Sequence, residues 1–306
     1  MVDDAVALTR EQYESYKQRF NNWGRWGDGD QLGTLNHITA DMRRRAASLV
    51  RTGRTVSLAR PLATERVLPG HRNQRPADHR VETGDFGCGD YVGVSYHGFA
   101  NTHIDGLCHI FTADGRMYGG RPKSDVTADG ALNNSVDHWR AGIVTRGVLY
   151  DVVRHRGAPH VTFDQPVHDA ELEEIAKAEG VTPQPGDAVV VRMGAAAFWA
   201  ANPDHQPAST APGLHASALE FLSKHDAALL CWDLMEAPGQ DALGAPSLPI
   251  HAIAIPYMGM PLLDNADLED IAAASAEEGR WEFMLTVAPL VVIGGTGSPV
   301  NPIAVL

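Results

Sequence analysis

The 306-residue sequence contains few cysteines, and their number is odd. Cys88, Cys108 and Cys231 do not form a disulfide framework, so a reducing cytoplasm is the expected location. No apolar run approaches the roughly 18–20 residues that a transmembrane helix requires. The start of the chain also lacks the basic segment and apolar run of a secretory signal. These absences predict a cytoplasmic chain without a membrane anchor.

Positive charge is also scarce. The chain has 25 Lys and Arg residues against 38 Asp and Glu residues, which gives a formal net charge of −13. Sequence-independent binding of nucleic acid requires clustered basic side chains, and docking on an anionic membrane requires them too. We therefore expect neither of these partners. Hydrophobic residues at 44% and charged residues at 21% are typical of a globular chain that buries a sizeable core.

Several motifs of common enzyme classes are missing. The sequence has no Gly-x-Gly-x-x-Gly at a strand–helix junction, no Gly-Lys-Ser/Thr phosphate loop and no Gly-x-Ser-x-Gly elbow. Each of these motifs shapes a backbone turn that holds a phosphate or presents a nucleophile. Their absence counts against nucleotide enzymes and against serine hydrolases of the α/β-hydrolase kind.

Helical and strand patterns alternate along the chain. Helices are predicted at 9–20 and 40–50, and apolar strands at 142–153, 187–194 and 227–233. This order predicts a mixed α/β class. With no repeat and no clear linker, we expect a single domain over residues 1–306. Its residues 1–50, helical and rich in Gly and Trp, are expected to pack on the rest.

Three further segments carry specific expectations. Thr9, with Gln12 three residues later, predicts a helix N-terminus. Residues 64–87 are polar without a clear period, which predicts a mobile loop or lid. Residues 91–99 alternate as a strand, and residues 251–264 predict a strand pair or a strand followed by a turn.

The segment most informative about chemistry is HGFANTHIDGLCH, which starts at residue 97 and contains His103-x-Asp105-x-x-x-His109. In an extended segment, residues two apart project to the same side, so His103 and Asp105 face one point. Gly106 allows a bend that returns His109 to that point. Two imidazoles and a carboxylate suit Zn²⁺ or Mn²⁺ and leave coordination positions open. The alternative is three unrelated polar residues on a loop.

THIDGLCH resembles the Thr-His-x-Asp-x-x-x-His signature of the cyclase family, which includes bacterial kynurenine formamidase and isatin hydrolase. Further blocks match the family in order, at residues 26–39, 186–194, 212–222 and 251–272. The resemblance implies a swivelling β/β/α fold, a bound divalent metal and hydrolysis of an amide or lactam. It also implies a homo-oligomer, either a dimer or a tetramer.

The resemblance assigns roles to individual residues. His103, Asp105 and His109 match the metal ligands of the family. His251 and Asp264 match a distal histidine and a glutamate that help to form the metal and catalytic site, although the aspartate is one methylene shorter. The alternative for His251 is a buried strand histidine bonded to the backbone.

Two positions depart from the formamidase pattern. Phe99 stands where the formamidases have a histidine four residues before the motif, and Thr112 stands where they have a catalytic histidine. Phenylalanine cannot ligate a metal, so one ion is expected rather than two, and kynurenine formamidase activity is not implied. His97, two residues before Phe99, is a candidate base; the alternative is a surface histidine.

The candidate substrate-binding residues are Trp23, Trp26, Asn36 and Phe99. The first three fall in the Gly-rich N-terminal block, which in the family lies near the pocket; the alternative is that they simply pack. The sequence thus favours a metal-dependent hydrolase acting on a C–N bond of a small-molecule substrate. A metal-assisted cyclase or dehydratase of secondary metabolism and a non-catalytic metal-binding relative are the competing interpretations.

Overall fold

The computed structural model describes residues 9–64, 76–205, 211–237 and 248–306. The α-helices in these ranges are α1 Arg10–Arg19, α2 Ala40–Ser48, α3 Val152–Arg156, α4 Asp169–Ala178, α5 Ala195–Ala201, α6 Ala218–Lys224, α7 Pro249–Ile253 and α8 Glu269–Glu278. A π-helix, Ala254–Met258, directly continues α7. Among these described segments, no helix has the length and apolar character needed to cross a bilayer.

The strands form one large sheet and several two-stranded pairs. They are β1 Thr55–Ser57, β2 Asp78–Gly84, β3 Gly87–Gly93, β4 His103–Asp105, β5 Arg116–Met117, β6 Arg121–Pro122, β7 Val126–Thr127, β8 Gly130–Ala131, β9 Ile143–Asp151, β10 Ala188–Arg192, β11 Gly213–Leu214, β12 Leu229–Trp232, β13 Met235–Glu236, β14 Leu262–Asp264, β15 Glu282–Val287, β16 Gly297–Pro299 and β17 Ile303–Val305. The large sheet has the order β1-β17-β15-β9-β10-β12-β14-β4-β16.

The middle of the large sheet is parallel. Strands β9, β10, β12 and β14 run in one direction, and β4 pairs antiparallel with β14. Parallel strands are covered on both faces and are therefore apolar along their length. The sequence of β10, AVVVR, and its burial follow this rule.

Hydrophobic side chains cover both faces of the sheet. Val189 and Val191 belong to one buried cluster and Val190 to the other, because alternate residues of a strand project to opposite faces. Tyr16 of α1 packs into the first cluster, and Ile271 of α8 packs into the second. Helices therefore pack on both sides of a mixed sheet, which confirms the predicted mixed α/β class.

The predicted start of the first helix is confirmed. The Thr9 side chain accepts a hydrogen bond from the Gln12 backbone, and the Gln12 side chain accepts one from the Thr9 N–H. The prediction for residues 251–264 is wrong in its first part, because α7 and the π-helix occupy residues 249–258. Pro249 lies in the first helical turn, and every α7 residue is buried. A helix that is buried on every side has no solvent-exposed polar face, so its sequence shows no helical period.

Two other sequence expectations need correction. The strand predicted at 91–99 ends at Gly93, and residues 94–102 are irregular. Residues 78–84 of the predicted 64–87 loop instead form β2, which pairs with β3 as an exposed hairpin. Residues 65–75 of that loop lie outside the described ranges. Polar side chains on both faces of the hairpin removed the alternation that identifies a half-buried strand.

Candidate metal centre

The motif residues lie where strands β14 and β4 meet. Asp264, the last residue of β14, is directly opposite His103, the first residue of β4. Asp105 is two residues further along β4 and shares a side of the strand with His103. The carboxyl ends of parallel strands are the usual location of ligand sites in α/β sheets, and Asp264 lies at such an end.

Asp105 is fully buried, and four imidazoles surround its carboxylate. The nearest ring nitrogens lie 2.8 Å away for His97, 3.5 Å for His103, 3.6 Å for His251 and 3.8 Å for His109. Neither carboxylate oxygen accepts a hydrogen bond of good geometry. A buried charge without hydrogen bonds is costly unless a cation compensates it. His103 and His109 thus both lie close to Asp105, but they fall in different groups of mutually close donor atoms. The assignment of His103, Asp105 and His109 as ligands of one metal ion stays a prediction.

His97 belongs to this cluster. Its ring stacks on that of His109, with centroids 3.7 Å apart and planes within 2°. Its Nδ1 faces Asp105, and its Nε2 lies 3.1 Å from the Thr296 hydroxyl. The side chain is 27% exposed, so the alternative of a free surface histidine does not describe its position. Residues 94–102 are irregular, so the placement of His97 does not follow from the alternation of a strand.

Gly297 makes room for His97. A Cβ on Gly297 would lie 2.7 Å from the Ile104 carbonyl oxygen and 2.8 Å from His97 Cε1. We expect Gly297→Ala to lower the free energy of unfolding by about 1–3 kcal/mol, the usual effect of overpacking. Urea denaturation measures the change. Gly29→Ala is the matched control, since a Cβ there meets nothing within 4 Å; equal effects of the two substitutions would contradict this account.

Asp264 and His251 also face each other. The His251 Nε2 lies 3.2 Å from Asp264 Oδ2, while the Trp232 indole N–H donates to Asp264 Oδ1 at 2.6 Å. The shorter aspartate side chain therefore reaches the cluster. His251 lies on a buried helix, and both ring nitrogens face carboxylates, which contradicts the alternative of a strand histidine bonded to the backbone.

Glu236 is the buried group that sequence reasoning missed. Its carboxylate bonds His251 Nδ1 and accepts the backbone N–H groups of Ile250 and His251. Burial raises the pKa of Glu236. Burial opposes the charge of His251, but Glu236 and Asp264 raise the pKa of His251 well above its usual range. The sequence offered one signal for Glu236, which is an acidic residue four positions after a buried apolar strand. This pattern is too common in proteins to identify a functional residue.

The donor atoms fall into two groups that share Asp105. One comprises His97, Asp105 and His109, and the other comprises His103, Asp105 and Asp264; within each group the atoms lie within 4.8 Å of one another. Imidazole and carboxylate donors suit zinc or manganese. Burial lowers the pKa of His109 to about 4, which keeps its ring in the neutral form that a metal ligand requires. Burial would raise the pKa of Asp105, but the neighbouring imidazoles hold it well below its usual range.

The two candidate tryptophans make contacts away from these histidines. The Trp23 indole donates to the Pro256 carbonyl at 2.7 Å, and its ring stacks on Tyr257. Trp26 contacts the His37 ring edge-on. The Trp23 contacts connect the N-terminal block to the π-helix that follows α7, whereas Trp26 packs within the block. A role in substrate binding stays a prediction for both residues.

The other two substrate candidates are placed differently. The Asn36 amide donates to Asp30 at 2.8 Å and to the Gly33 carbonyl at 2.9 Å, and Asp30 in turn accepts from the Tyr118 hydroxyl. Asn36 thus braces the N-terminal loop. Phe99 is half-buried in the irregular segment between His97 and β4. Its contact with a substrate stays a prediction.

Comparisons with known proteins agree with this architecture. A crystal structure of a novel cyclase matches with a TM-score of 0.81 and 27% identity, over 95% of this chain and 99% of that one. Isatin hydrolase A from Labrenzia aggregata, bound to benzyl benzoate, matches with a TM-score of 0.58 and 20% identity, over 89% and 98% of the two chains. Isatin hydrolase A from Ralstonia solanacearum matches with a TM-score of 0.55 and 17% identity, over 82% and 91%.

These likenesses confirm the expected swivelling β/β/α fold. No match was found among curated protein sequences. The family model described as "Putative cyclase" matches residues 34–237, which is more than half of the chain. The chain therefore belongs to the cyclase family.

Proposed function

We propose that the protein is a metal-dependent hydrolase that cleaves an amide or lactam C–N bond of a small molecule. The observation that carries the proposal is the buried Asp105 carboxylate, which lacks hydrogen bonds and is surrounded by four imidazole nitrogens. This arrangement fits a divalent cation better than a structural ion pair, since a structural pair would satisfy the carboxylate oxygens with hydrogen bonds.

The residues that would hold one ion are His103, Asp105 and Asp264, with His97 and His109 on the other side of Asp105. A bound zinc or manganese ion would polarise the scissile carbonyl and lower the pKa of water from near 15.7 toward about 7. Three protein donors would leave positions for water and substrate.

Proton transfer is assigned to His251 and Asp264. Their facing atoms are 3.2 Å apart and can share a proton. His251 Nε2 can take the proton of the attacking water and return it to the leaving nitrogen, a contribution of about 10²–10⁴-fold to the rate. Asp264 is the alternative base where its Oδ2 does not ligate the ion. His97 is a second candidate base, because its ring is the partly exposed member of the cluster.

The choice of a C–N bond is supported by the two isatin hydrolases of the same fold, since isatin is a cyclic amide. A cyclase or dehydratase is the second candidate, favoured by the 27% identical structure that is described as a novel cyclase. The two activities differ in their water balance: hydrolysis consumes one water molecule, and dehydration releases one.

Metal analysis and a substrate screen test the proposal. We expect purified protein to hold about one zinc or manganese ion per chain by mass spectrometry, and chelation to abolish turnover until the ion is restored. Amides, lactams and lactones are incubated in ¹⁸O-water, and hydrolysis places one ¹⁸O atom in the product. A protein that holds no stoichiometric divalent ion, or whose turnover resists chelation, would overturn the proposal.

A further inference from the structure

We propose that Glu236 is a positioning residue that fixes His251 with its Nδ1 protonated and its Nε2 lone pair directed at Asp105 and Asp264. This inference rests on the proposed function, because it concerns how His251 is presented to the ion that those carboxylates would hold. It assigns a role to a side chain that the sequence motif does not include.

The contacts of Glu236 leave it little freedom. It is the last residue of the short strand β13, is fully buried, and lies opposite Leu214 in a parallel pair. One carboxylate oxygen bonds the His251 Nδ1. The other accepts the backbone N–H groups of Ile250 and His251 in the first turn of α7. Glu236 therefore holds both the ring and the backbone of His251.

The chemistry of these contacts sets the tautomer. An ionised carboxylate only accepts hydrogen bonds, so the Nδ1 atom that faces Glu236 must carry the proton. A cation bound beside the ring would displace the Nε2 proton, and Nε2 would then be left with a lone pair. That atom lies 3.6 Å from Asp105 Oδ2 and 3.2 Å from Asp264 Oδ2. A lone pair there favours a cation, whereas an N–H would repel one. Carboxylate partners of this kind commonly orient histidines at metal sites.

Glutamine cannot replace Glu236 in this role. The side chain must accept from Nδ1 on one side and from two backbone N–H groups on the other. A glutamine offers one accepting oxygen, which two backbone donors will attract, so its NH₂ group turns toward Nδ1. His251 then adopts the other tautomer, with an Nε2–H directed at the carboxylates. The substitution keeps the side-chain volume and changes Nε2 from a lone-pair acceptor into an N–H donor.

Competition titration of Zn²⁺ against a chromogenic chelator tests the inference. The proteins are wild type, Glu236→Gln, His251→Ala, the double variant and Glu179→Gln. Glu179 is the matched control, since its side chain is only 4% exposed and lies 4.0 Å from Arg154, outside the cluster. We expect Glu236→Gln to weaken Zn²⁺ binding about 10–100-fold, as substitutions of such partners do. Glu179→Gln should bind close to the wild-type value. His251→Ala should lose less affinity than Glu236→Gln, because alanine presents no N–H to the cation.

The double variant separates positioning from general structural damage. If Glu236 acts through His251, Glu236→Gln has no further effect once His251 is alanine, and the double variant binds like His251→Ala. A loss that persists in the double variant, or a Glu236→Gln protein that binds like wild type, overturns the inference and leaves the proposed function standing. A wild-type protein without Zn²⁺ affinity overturns the proposed function itself.

A second measurement uses only the wild-type protein, so it tests the inference even where Glu236→Gln fails to fold. Nitrogen-15 correlation spectra of the zinc-loaded wild-type protein report which ring nitrogen of His251 carries the proton. We expect a proton on Nδ1 and none on Nε2. An unprotonated Nδ1 overturns the inference.

Discussion

Asp105→Asn is expected to abolish stoichiometric metal binding and turnover together. Asp105 is the only residue common to both donor groups, and its carboxylate faces four imidazoles. Asparagine keeps the side-chain shape but removes the charge, and its NH₂ group would face the imidazoles as a donor. Substituting a residue that only hydrogen-bonds to a metal ligand typically lowers metal affinity about 10–100-fold. Asp105 is a proposed direct ligand, so we expect a loss of at least about 100-fold. Metal content and Zn²⁺ titration measure the loss.

Asp267→Asn is the control for that substitution. Asp267 lies three residues beyond Asp264 on the same segment, is half-buried, and accepts from the Glu269 backbone rather than from a cluster residue. This variant should keep the wild-type metal content. An Asp105→Asn protein that folds and still binds one ion per chain would contradict a metal centre built around Asp105.

His251→Ala is expected to keep the metal and lower kcat about 10²–10⁴-fold, the usual contribution of a positioned acid–base group. His251 lies outside both donor triads, so its removal leaves them intact. Steady-state kinetics on a substrate from the screen, with metal content measured on the same sample, checks both parts. KM should change little, because the loss concerns proton transfer.

His225→Ala is the matched histidine control. His225 is partly buried and bonds Glu173 at 2.8 Å, away from the cluster. Its removal should leave kcat unchanged. Loss of the metal in His251→Ala would instead identify His251 as a required ligand, and unchanged kcat would remove it from the proton-transfer path.

The local part of the site was accessible from sequence. His103 and Asp105 are two residues apart on a strand, and Gly106 donates its N–H to the Thr296 carbonyl in a space that would not admit a Cβ. Strand period and a glycine at a bend are local properties, so the closeness of His103 and His109 to Asp105 could be predicted. The mixed class followed equally from the alternation of helix and strand patterns.

The distant part of the site depends on packing that no local pattern encodes. Asp264 faces His103 because β14 pairs with β4 in one particular register. Glu236 reaches His251 because residues 249–253 form a buried helix rather than the predicted strand. The family resemblance indicated His251 and Asp264, but neither their mutual contact nor Glu236 could be derived from residue spacing.

The pairing of β4 also constrains biosynthesis. Its two neighbours in the sheet are β14, residues 262–264, and β16, residues 297–299, and both are translated long after β4 itself. A ribosome-bound chain that already contains every residue of the histidine motif therefore has no partner strands to hold β4 in place. The candidate metal centre can therefore reach its final geometry only after residues 262–264 and 297–299 have been synthesised.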